Sequence, residues 1–185
     1  KVVCSGEIRQ TLQRGNFQLR RDEYFELVGM KTAALFALAC ELGASLTNED
    51  DQATQRTLCE YGKLLGIAFQ IYDDCLDVFG TEDVAGKSLG TDLRNGKLTL
   101  PLMRLRDNLS EAEVARLEKM FGDEQSCDIN FAAMWPDEWA VAVEKTRSEL
   151  RGYIDSAVSY LDCLPSSDYA DALRDITYFL GDREL

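Results

Sequence analysis

A helical pattern that runs without interruption over residues 47–80 constrains the fold more than any other feature of the sequence. It spans about thirty residues, contains no proline and ends at Gly80. The chain of 185 residues has only three prolines, and its many Ala, Leu, Glu and Arg residues favour helices over a turn-rich β fold. The sequence therefore predicts an all-α fold with one long central helix.

Two glycines in the central helix indicate where another helix crosses it. Gly62 and Gly66 lie one turn apart, where glycine is costly, so we expect a close helix crossing there. Thr47 and Asp50 resemble a capping box at the start of this helix. The other predicted helices cover residues 4–14, 22–43 with Asp22 as N-cap, 98–109, 110–122 with Ser110 and Glu113 as a capping box, 138–164 and 168–180; residues 80–97 form a loop. With no repeat or break in composition, residues 1–185 are predicted to form a single helical domain.

Composition excludes several classes of function. The net charge of −13 and the absence of a Lys/Arg cluster argue against a nucleic-acid partner, because phosphate backbones are held by clustered basic side chains. The absence of histidine excludes a Ser-His-Asp triad, a Cys-His nucleophile and a histidine-containing zinc site within this chain. The six cysteines contain no CxxC pair, which together with their apolar settings indicates a reducing, cytoplasmic location. Carboxylates and lysines remain as the chemical candidates.

No segment is predicted to span a membrane. The most apolar stretch, residues 32–40, is closed by Glu41 and is far shorter than the roughly 20 residues that a span needs. The chain begins with Lys1, and its first residues do not resemble a signal peptide. We therefore expect this chain to begin inside a longer protein.

Three aspartates lie close together near the end of the predicted central helix. Asp73 and Asp77 project from one helix face, and Asp74 lies about a hundred degrees around from Asp73. Like charges near a helix C-terminus are unfavourable by a few tenths to ~1 kcal/mol each, and a bound cation would relieve this. Magnesium suits the geometry, because it takes one or two carboxylates together with phosphate oxygens and water. The cluster predicts a magnesium and phosphate site; the alternative is an ordinary solvated acidic helix end.

The segments around these aspartates resemble those of one enzyme family. Residues 69–102, FQIYDDCLDVFGTEDVAGKSLGTDLRNGKLTLPL, resemble the second aspartate-rich region of trans-isoprenyl (polyprenyl) diphosphate synthases. GEIRQ at residues 6–10 and EYFELVGMKTAALFALACELGA at residues 23–44 are similar to the GE-x-x-Q and KTA-containing helices of that family. Residues 160–184 resemble its C-terminal end, and only residues 107–150 match by helix pattern alone.

The resemblance implies an isoprenoid-synthase-type helical bundle, of which this chain is the C-terminal portion. It also implies a Mg²⁺-dependent, head-to-tail condensation of isopentenyl diphosphate with an allylic prenyl diphosphate. The allylic carbon–oxygen bond ionises first, and metal ions and cationic side chains stabilise the departing diphosphate. By resemblance, the metal ligands are Asp73, Asp74 and Asp77, the diphosphate-binding residues are Lys31, Lys87 and Lys97, and the catalytic residues are Lys31, Thr32, Gln70, Asp73 and Asp74.

The same resemblance sets expectations for the whole protein. The first aspartate-rich motif of the family and its basic residues for isopentenyl diphosphate belong to the N-terminal half, so we expect this chain alone to make no prenyl product. Family members are usually homodimers, and a homodimer is expected here. One alternative is a non-catalytic regulatory or partner subunit. Another is a class I terpene cyclase, although the second metal motif of those enzymes usually mixes Asn, Ser or Thr with Glu rather than repeating Asp.

Overall fold

A computed structural model of the chain describes residues 1–47, 51–79, 90–123 and 129–182. Within these ranges the chain is helical and contains no strand, which confirms the predicted all-α class. The helices are α1 (Val2–Leu12), α2 (Arg21–Val28), α3 (Ala34–Thr47), α4 (Gln52–Phe79), α5 (Thr91–Arg94), α6 (Leu100–Arg106), α7 (Glu111–Met120), α8 (Phe131–Met134), α9 (Pro136–Leu161) and α10 (Asp168–Asp182), and a π-helical turn (Gly29–Ala33) joins α2 to α3.

The chain divides into two compact units. Unit 1 comprises Lys1–Glu7, Phe25–Gln70 and Glu149–Glu184, and unit 2 comprises chiefly Ile8–Tyr24 and Ile71–Ser148. Helices α1, α2, α4 and α9 contribute residues to both units. The prediction of a single domain over the whole chain stays a prediction.

The predicted central helix is present as α4, with 28 residues. Within unit 1, a Cβ atom at Gly62 would lie 2.5 Å from the Phe36 carbonyl oxygen, and one at Gly66 would lie 2.6 Å from Ala33 Cα. Only glycine allows backbones to approach so closely. The predicted crossing is therefore confirmed, and the crossing partner is the π-helical turn with the start of α3.

The Tyr61 hydroxyl connects α4 to α10 within unit 1 by hydrogen bonds. Its side chain is fully buried, and its hydroxyl donates to the Leu173 carbonyl oxygen at 3.2 Å and lies 2.9 Å from Thr177 Oγ1. A buried phenol hydroxyl needs such partners, because leaving it unbonded in the core is unfavourable. The contact fixes one face of α4 against the last helix.

The helix caps differ in part from the prediction. Thr47 is the last residue of α3, and Asp50 lies outside the described residues, so the predicted capping box at the start of α4 was wrong. Asp51 caps α4 instead, because its carboxylate accepts the Thr54 backbone N–H at 3.0 Å and the Thr54 hydroxyl at 2.7 Å. The capping box of Ser110 and Glu113 is confirmed at the start of α7.

The N-cap position of α2 also lies two residues earlier than predicted. The helix begins at Arg21, and the Arg20 backbone N–H donates to the Glu23 carboxylate at 2.9 Å. Arg20 therefore occupies the position before the helix, and Asp22 lies in the first turn, where an anion complements the helix dipole.

One continuous helical stretch, Arg21–Leu46, is long and apolar enough to cross a membrane by length and composition alone. It comprises 26 residues, because the π-helical turn joins α2 to α3 without a break. The same test is passed by core helices of water-soluble proteins, so one such helix is weak evidence. The prediction that the chain has no membrane span stays a prediction.

Candidate active site

The three aspartates of the cluster lie on the last two turns of α4, in unit 2, and differ sharply in exposure. Asp74 is 0% exposed and Asp77 is 3% exposed, whereas Asp73 is partly exposed. Cys75 and Leu76 between them are also buried. The sequence pattern therefore contains two interior carboxylates and one that reaches solvent.

Both carboxylate oxygens of Asp74 accept hydrogen bonds from side chains of unit 2. The Tyr24 hydroxyl donates to Oδ2 at 2.7 Å, and the Lys97 ammonium donates to Oδ1 at 2.9 Å. An oxygen–oxygen distance of 2.7 Å is typical of a charge-assisted bond to a carboxylate. Asp74 is thus held from α2 on one side and from the segment that precedes α6 on the other.

Lys97 links Asp74 to a further carboxylate, that of Asp92. Its ammonium lies 2.8 Å from Asp92 Oδ2, and the Lys97 side chain is only 19% exposed. Burial alone would lower the pKa of Lys97, but the charges of Asp74 and Asp92 and the hydrogen bonds to both raise it above its ordinary value. Burial raises the pKa of Asp92 to about 6, against the opposing effect of the Lys97 charge. Lys97 is therefore an ammonium shared by two carboxylates.

Asp77 caps the short helix α5. Its Oδ1 accepts the Thr91 hydroxyl at 2.8 Å and the Thr91 backbone N–H at 3.2 Å, and its Oδ2 accepts the Asp92 backbone N–H at 2.9 Å. The Asp77 carbonyl oxygen accepts the Gly90 N–H at 2.9 Å. The N-terminal N–H groups of a helix have no partner inside the helix, and Asp77 satisfies two of them. This carboxylate consequently joins the end of α4 to the start of α5.

A metal ion held by the described residues would receive few ligands from the protein. Among these residues, no three Cys, Asp or Glu side chains are grouped so that they could hold a metal ion together. Magnesium is compatible with few protein ligands, since it takes one or two carboxylates and completes its shell with phosphate oxygens and water. Asp73 is the carboxylate of this turn that is exposed enough to serve such a cation.

Unit 1 holds the other predicted site residues of the described chain. The Thr32 hydroxyl donates to Gln70 Oε1 at 2.7 Å, and Lys31 Nζ lies 3.1 Å from Glu7 Oε1. The Lys31 and Glu7 side chains are 30% and 52% exposed. Both Lys31 and Thr32 belong to the π-helical turn, a distortion that is frequent at functional sites. Lys87 lies outside the described residues.

The GE-x-x-Q segment supports this turn. A Cβ atom at Gly6 would lie 2.8 Å from the Lys31 backbone nitrogen, so glycine allows α1 to approach the π-helical turn closely. The next residue, Glu7, pairs with the Lys31 ammonium. The two residues therefore place α1 against Lys31, one through the backbone and one through charge.

The comparison with known families identifies the chain. The family model described as polyprenyl synthetase matches residues 1–135. The chain belongs to the polyprenyl synthetase family. This confirms the resemblance to trans-isoprenyl diphosphate synthases that the sequence motifs indicated.

Curated relatives and solved structures of the family agree with this assignment. The chain is 33% identical over 183 residues to heptaprenyl diphosphate synthase component 2 of Geobacillus stearothermophilus, covering 98% of this chain and 56% of that protein. It resembles the structure of a geranylgeranyl pyrophosphate synthetase from Pyrococcus horikoshii with a TM-score of 0.85 and 28% identity, covering 99% of this chain and 55% of that chain. It also resembles a polyprenyl synthase from Caulobacter crescentus complexed with calcium and isoprenyl diphosphate, with a TM-score of 0.84 and 32% identity, covering 98% of this chain and 56% of that chain.

These likenesses establish the fold and the extent of the match. The all-α isoprenoid synthase fold, predicted from the resemblance, is confirmed. The chain spans about half the length of the curated relatives that it matches. The part of the chain that the family model matches, residues 1–135, includes the helix with the Asp73, Asp74 and Asp77 cluster.

Sequence reasoning missed four residues that contact the predicted site residues: Glu7, Tyr24, Thr91 and Asp92. Glu7 and Asp92 belong to segments whose family resemblance was recognised, GEIRQ and TDLRNGK, but neither was given a role. Tyr24 lies seven residues before Lys31, about two helical turns away, and fitted the helical pattern of residues 22–43 without any further signal. Nothing local to Tyr24 indicates an aspartate partner.

Proposed function

We propose that the chain is part of a polyprenyl diphosphate synthase that condenses isopentenyl diphosphate with an allylic prenyl diphosphate, head to tail and with magnesium. The proposal rests on how the three aspartates are arranged on the last two turns of α4, in a chain that belongs to this family. Asp74 and Asp77 are buried and bonded to groups of the protein, and Asp73 alone among the three is partly exposed. Such a turn offers one firmly oriented carboxylate to a cation that also binds diphosphate.

Asp73 is the residue that would hold magnesium directly, and Asp74 and Asp77 would orient the turn. When bound, magnesium would neutralise the negative charge that grows on the departing diphosphate. The turn itself contributes fixed geometry, because the buried carboxylates of Asp74 and Asp77 are hydrogen-bonded to other groups of the protein. This assigns a cation-binding role to Asp73 and indirect roles to the other two predicted ligands.

Lys31 is proposed to bind the diphosphate by exchanging one partner for another. Its ammonium is partly exposed and pairs with the still more exposed Glu7, and an ion pair of this kind contributes about 0–1 kcal/mol. A diphosphate group carries more negative charge than the Glu7 carboxylate and would displace it from the Lys31 ammonium at little cost in free energy. Lysine suits this exchange because its ammonium is a compact charge on a flexible stem.

Thr32 and Gln70 are proposed to face the reacting allylic group without neutralising it. The hydrogen bond from the Thr32 hydroxyl to Gln70 Oε1 fixes the orientation of both side chains. Lys97 would contribute positive charge near the turn, through an ammonium that already donates to Asp74 and Asp92. The diphosphate-binding role of Lys87 also remains a proposal.

The partners of the chain are proposed from the family. The substrates are isopentenyl diphosphate and an allylic prenyl diphosphate, and the assembly is a homodimer. The name of the Geobacillus relative, component 2, describes that protein as one component of its synthase. A partner subunit is therefore the second candidate function, in which the chain would serve a separate catalytic polypeptide.

A radiolabel transfer assay tests the proposal. Labelled isopentenyl diphosphate, an allylic diphosphate and Mg²⁺ are supplied to the full-length protein and to the 185-residue chain alone. We expect product only from the full-length protein, and Asp73→Ala should reduce its turnover by about 10²–10³-fold, the usual loss when one electrostatic contact of a transition state is removed. The matched control is Asp155→Ala, since Asp155 is exposed on α9.

Each other outcome has a defined meaning. Equal, small effects of Asp73→Ala and Asp155→Ala would show that the cluster is not the metal site. Product from the chain alone would refute the need for the rest of the enzyme. A full-length protein that is inactive alone but stimulates a second polypeptide would support the partner-subunit function.

A further inference from the structure

A buried hydrogen bond joins two helices at the aspartate cluster of unit 2. The Tyr24 hydroxyl, on α2, donates to Asp74 Oδ2, on α4, at 2.7 Å, although the two residues are 50 positions apart in the sequence. Tyr24 is 3% exposed and Asp74 is 0% exposed. Because the carboxylate is shielded from water, the phenol is one of the few donors that can hold it.

Asp74 is positioned from two directions at once. Lys97 holds Oδ1 and Tyr24 holds Oδ2, so the plane of the carboxylate is fixed by two donors. If the Tyr24 hydroxyl were removed, Asp74 Oδ2 would lose this donor, and the ammonium that holds Oδ1 is already shared with Asp92. The carboxylate could then rotate toward Lys97, and the α4 backbone at Asp74 would follow.

The orientation of Asp73 depends on the same backbone. Asp73 directly precedes Asp74 on α4, so a small rotation of the helix at Asp74 turns Asp73 by a similar angle. Magnesium requires nearly ideal octahedral geometry, which makes its affinity sensitive to a shift of this kind. Partners that orient metal ligands typically change metal affinity by about 10–100-fold when they are lost.

We propose that Tyr24 is a positioning residue for the metal-binding carboxylate Asp73, acting through Asp74. This inference rests on the proposed function, because it takes Asp73 as the cation ligand. In this proposal Tyr24 contacts neither substrate nor metal. Loss of the hydroxyl should therefore weaken cation binding.

The test measures Mn²⁺ binding by electron paramagnetic resonance in the presence of inorganic diphosphate. The variant Tyr24→Phe keeps the ring and removes only the hydroxyl. The matched control is Tyr61→Phe, which removes an equally buried hydroxyl that bonds to Leu173 and Thr177 in unit 1. We expect Tyr24→Phe to raise the Mn²⁺ dissociation constant about 10-fold, the lower end for loss of an orienting partner, and Tyr61→Phe to change it less than about 2-fold.

Thermal unfolding of both variants separates positioning from stability. A purely structural role predicts that both variants lose stability and that neither changes cation binding once folded. The inference is overturned if folded Tyr24→Phe binds Mn²⁺ as the unmodified chain does, or if Tyr61→Phe weakens binding equally.

Two further variants separate this inference from the function on which it rests. Asp73→Ala should remove diphosphate-dependent Mn²⁺ binding; if it does not, the proposed metal site fails, whatever Tyr24 does. If Asp73→Ala removes binding and Tyr24→Phe has no effect, only the positioning role fails. Should Tyr24→Phe fold poorly, Asp74→Asn gives an independent reading, because it must raise the Mn²⁺ dissociation constant in the folded chain. In the folded double variant Tyr24→Phe/Asp74→Asn, the increases in the Mn²⁺ dissociation constant must be non-additive, since both substitutions act on the same hydrogen bond.

Discussion

The ion pair of Lys31 in unit 1 and the ion pairs of Lys97 in unit 2 differ in how firmly the protein holds them. In unit 2, Asp74 is 0% exposed and Lys97 is 19% exposed, and each bonds to two other side chains. In unit 1, Lys31 and Glu7 are 30% and 52% exposed and pair with each other. The first group has the features of a fixed scaffold, and the second has those of groups that can exchange partners.

Physical chemistry explains why this difference matters for a diphosphate site. Breaking a buried ion pair leaves an uncompensated charge in a low-dielectric interior, so the groups of unit 2 hold their geometry. An exposed ion pair gains little over its hydrated ions, so Lys31 can leave Glu7 when a more highly charged anion arrives. Under the proposed function, the groups of unit 2 would support the metal ligand, and Lys31 of unit 1 would offer charge to the substrate.

The largest expected effect comes from removing the shared ammonium of unit 2. Lys97→Met would leave the Asp74 and Asp92 carboxylates without their cation, and we expect the free energy of unfolding to fall by about 3–5 kcal/mol. Urea denaturation monitored by circular dichroism measures the loss. The variant Lys97→Met/Asp92→Asn should recover part of it, because one of the two unpaired charges is then absent.

A small loss of unfolding free energy in Lys97→Met would change the comparison between the units. If Lys97→Met cost less than about 1 kcal/mol, the typical value for an exposed pair, the group in unit 2 would be no firmer than the Lys31–Glu7 pair. Lys97 would then be available to diphosphate, as the sequence resemblance implied.

The next effect is a dependence of stability on pH that originates at Asp92. Burial raises the pKa of Asp92 from 3.8 to about 6 in the folded chain. The folded state therefore binds more protons than the unfolded state between these values, and stability falls as pH rises through this window. We expect a loss of about 1–3 kcal/mol between pH 4 and pH 7 relative to Asp92→Asn, which cannot titrate. Urea denaturation of both proteins across this range measures the difference.

The opposite slope would contradict this assignment. If the stability of the unmodified chain rose relative to Asp92→Asn between pH 4 and pH 6, Lys97 would be lowering the pKa of Asp92 more than burial raises it. The group in unit 2 would then be held more firmly than the present assignment implies, because the Asp92 carboxylate would stay paired with Lys97 at lower pH.

Local sequence signals predicted the helices well because helix formation depends on local periodicity. The long element over α4 followed from the absence of proline and the apolar spacing, and the crossing at Gly62 and Gly66 followed from the cost of glycine inside a helix. The cap at the start of α4 was mispredicted because α3 continues through Thr47, so the capping function passes to Asp51. The π-helical turn was not predicted, since one extra residue in a turn barely disturbs the apolar pattern.

The partners within the site could not be predicted in the same way. The acidic pattern indicated the three aspartates, and the resemblance added Lys31, Thr32 and Gln70, but no motif distinguishes a solvent-facing aspartate from a buried one. Asp74 differs from Asp73 because Tyr24, 50 residues earlier, and Lys97, 23 residues later, reach it in the folded chain. Such pairings depend on tertiary packing and carry no signature in a single sequence.

The smallest expected effect lies in the exposed pair of unit 1. Glu7→Gln removes the charge that pairs with Lys31, and we expect the free energy of unfolding to change by less than about 0.5 kcal/mol, because exposed ion pairs contribute little. The same change should tighten the binding of magnesium diphosphate about 2-fold, since the carboxylate no longer competes for the ammonium. Urea denaturation and calorimetric titration measure the two quantities.

The matched control is Glu60→Gln, which breaks the exposed pair between Glu60 and Lys63 at 3.6 Å on α4 and should affect neither. A loss of more than 1 kcal/mol in Glu7→Gln, or a clear weakening of diphosphate binding, would mean that Glu7 holds Lys31 in place rather than yielding it, and that the two units do not differ in the way their exposures indicate.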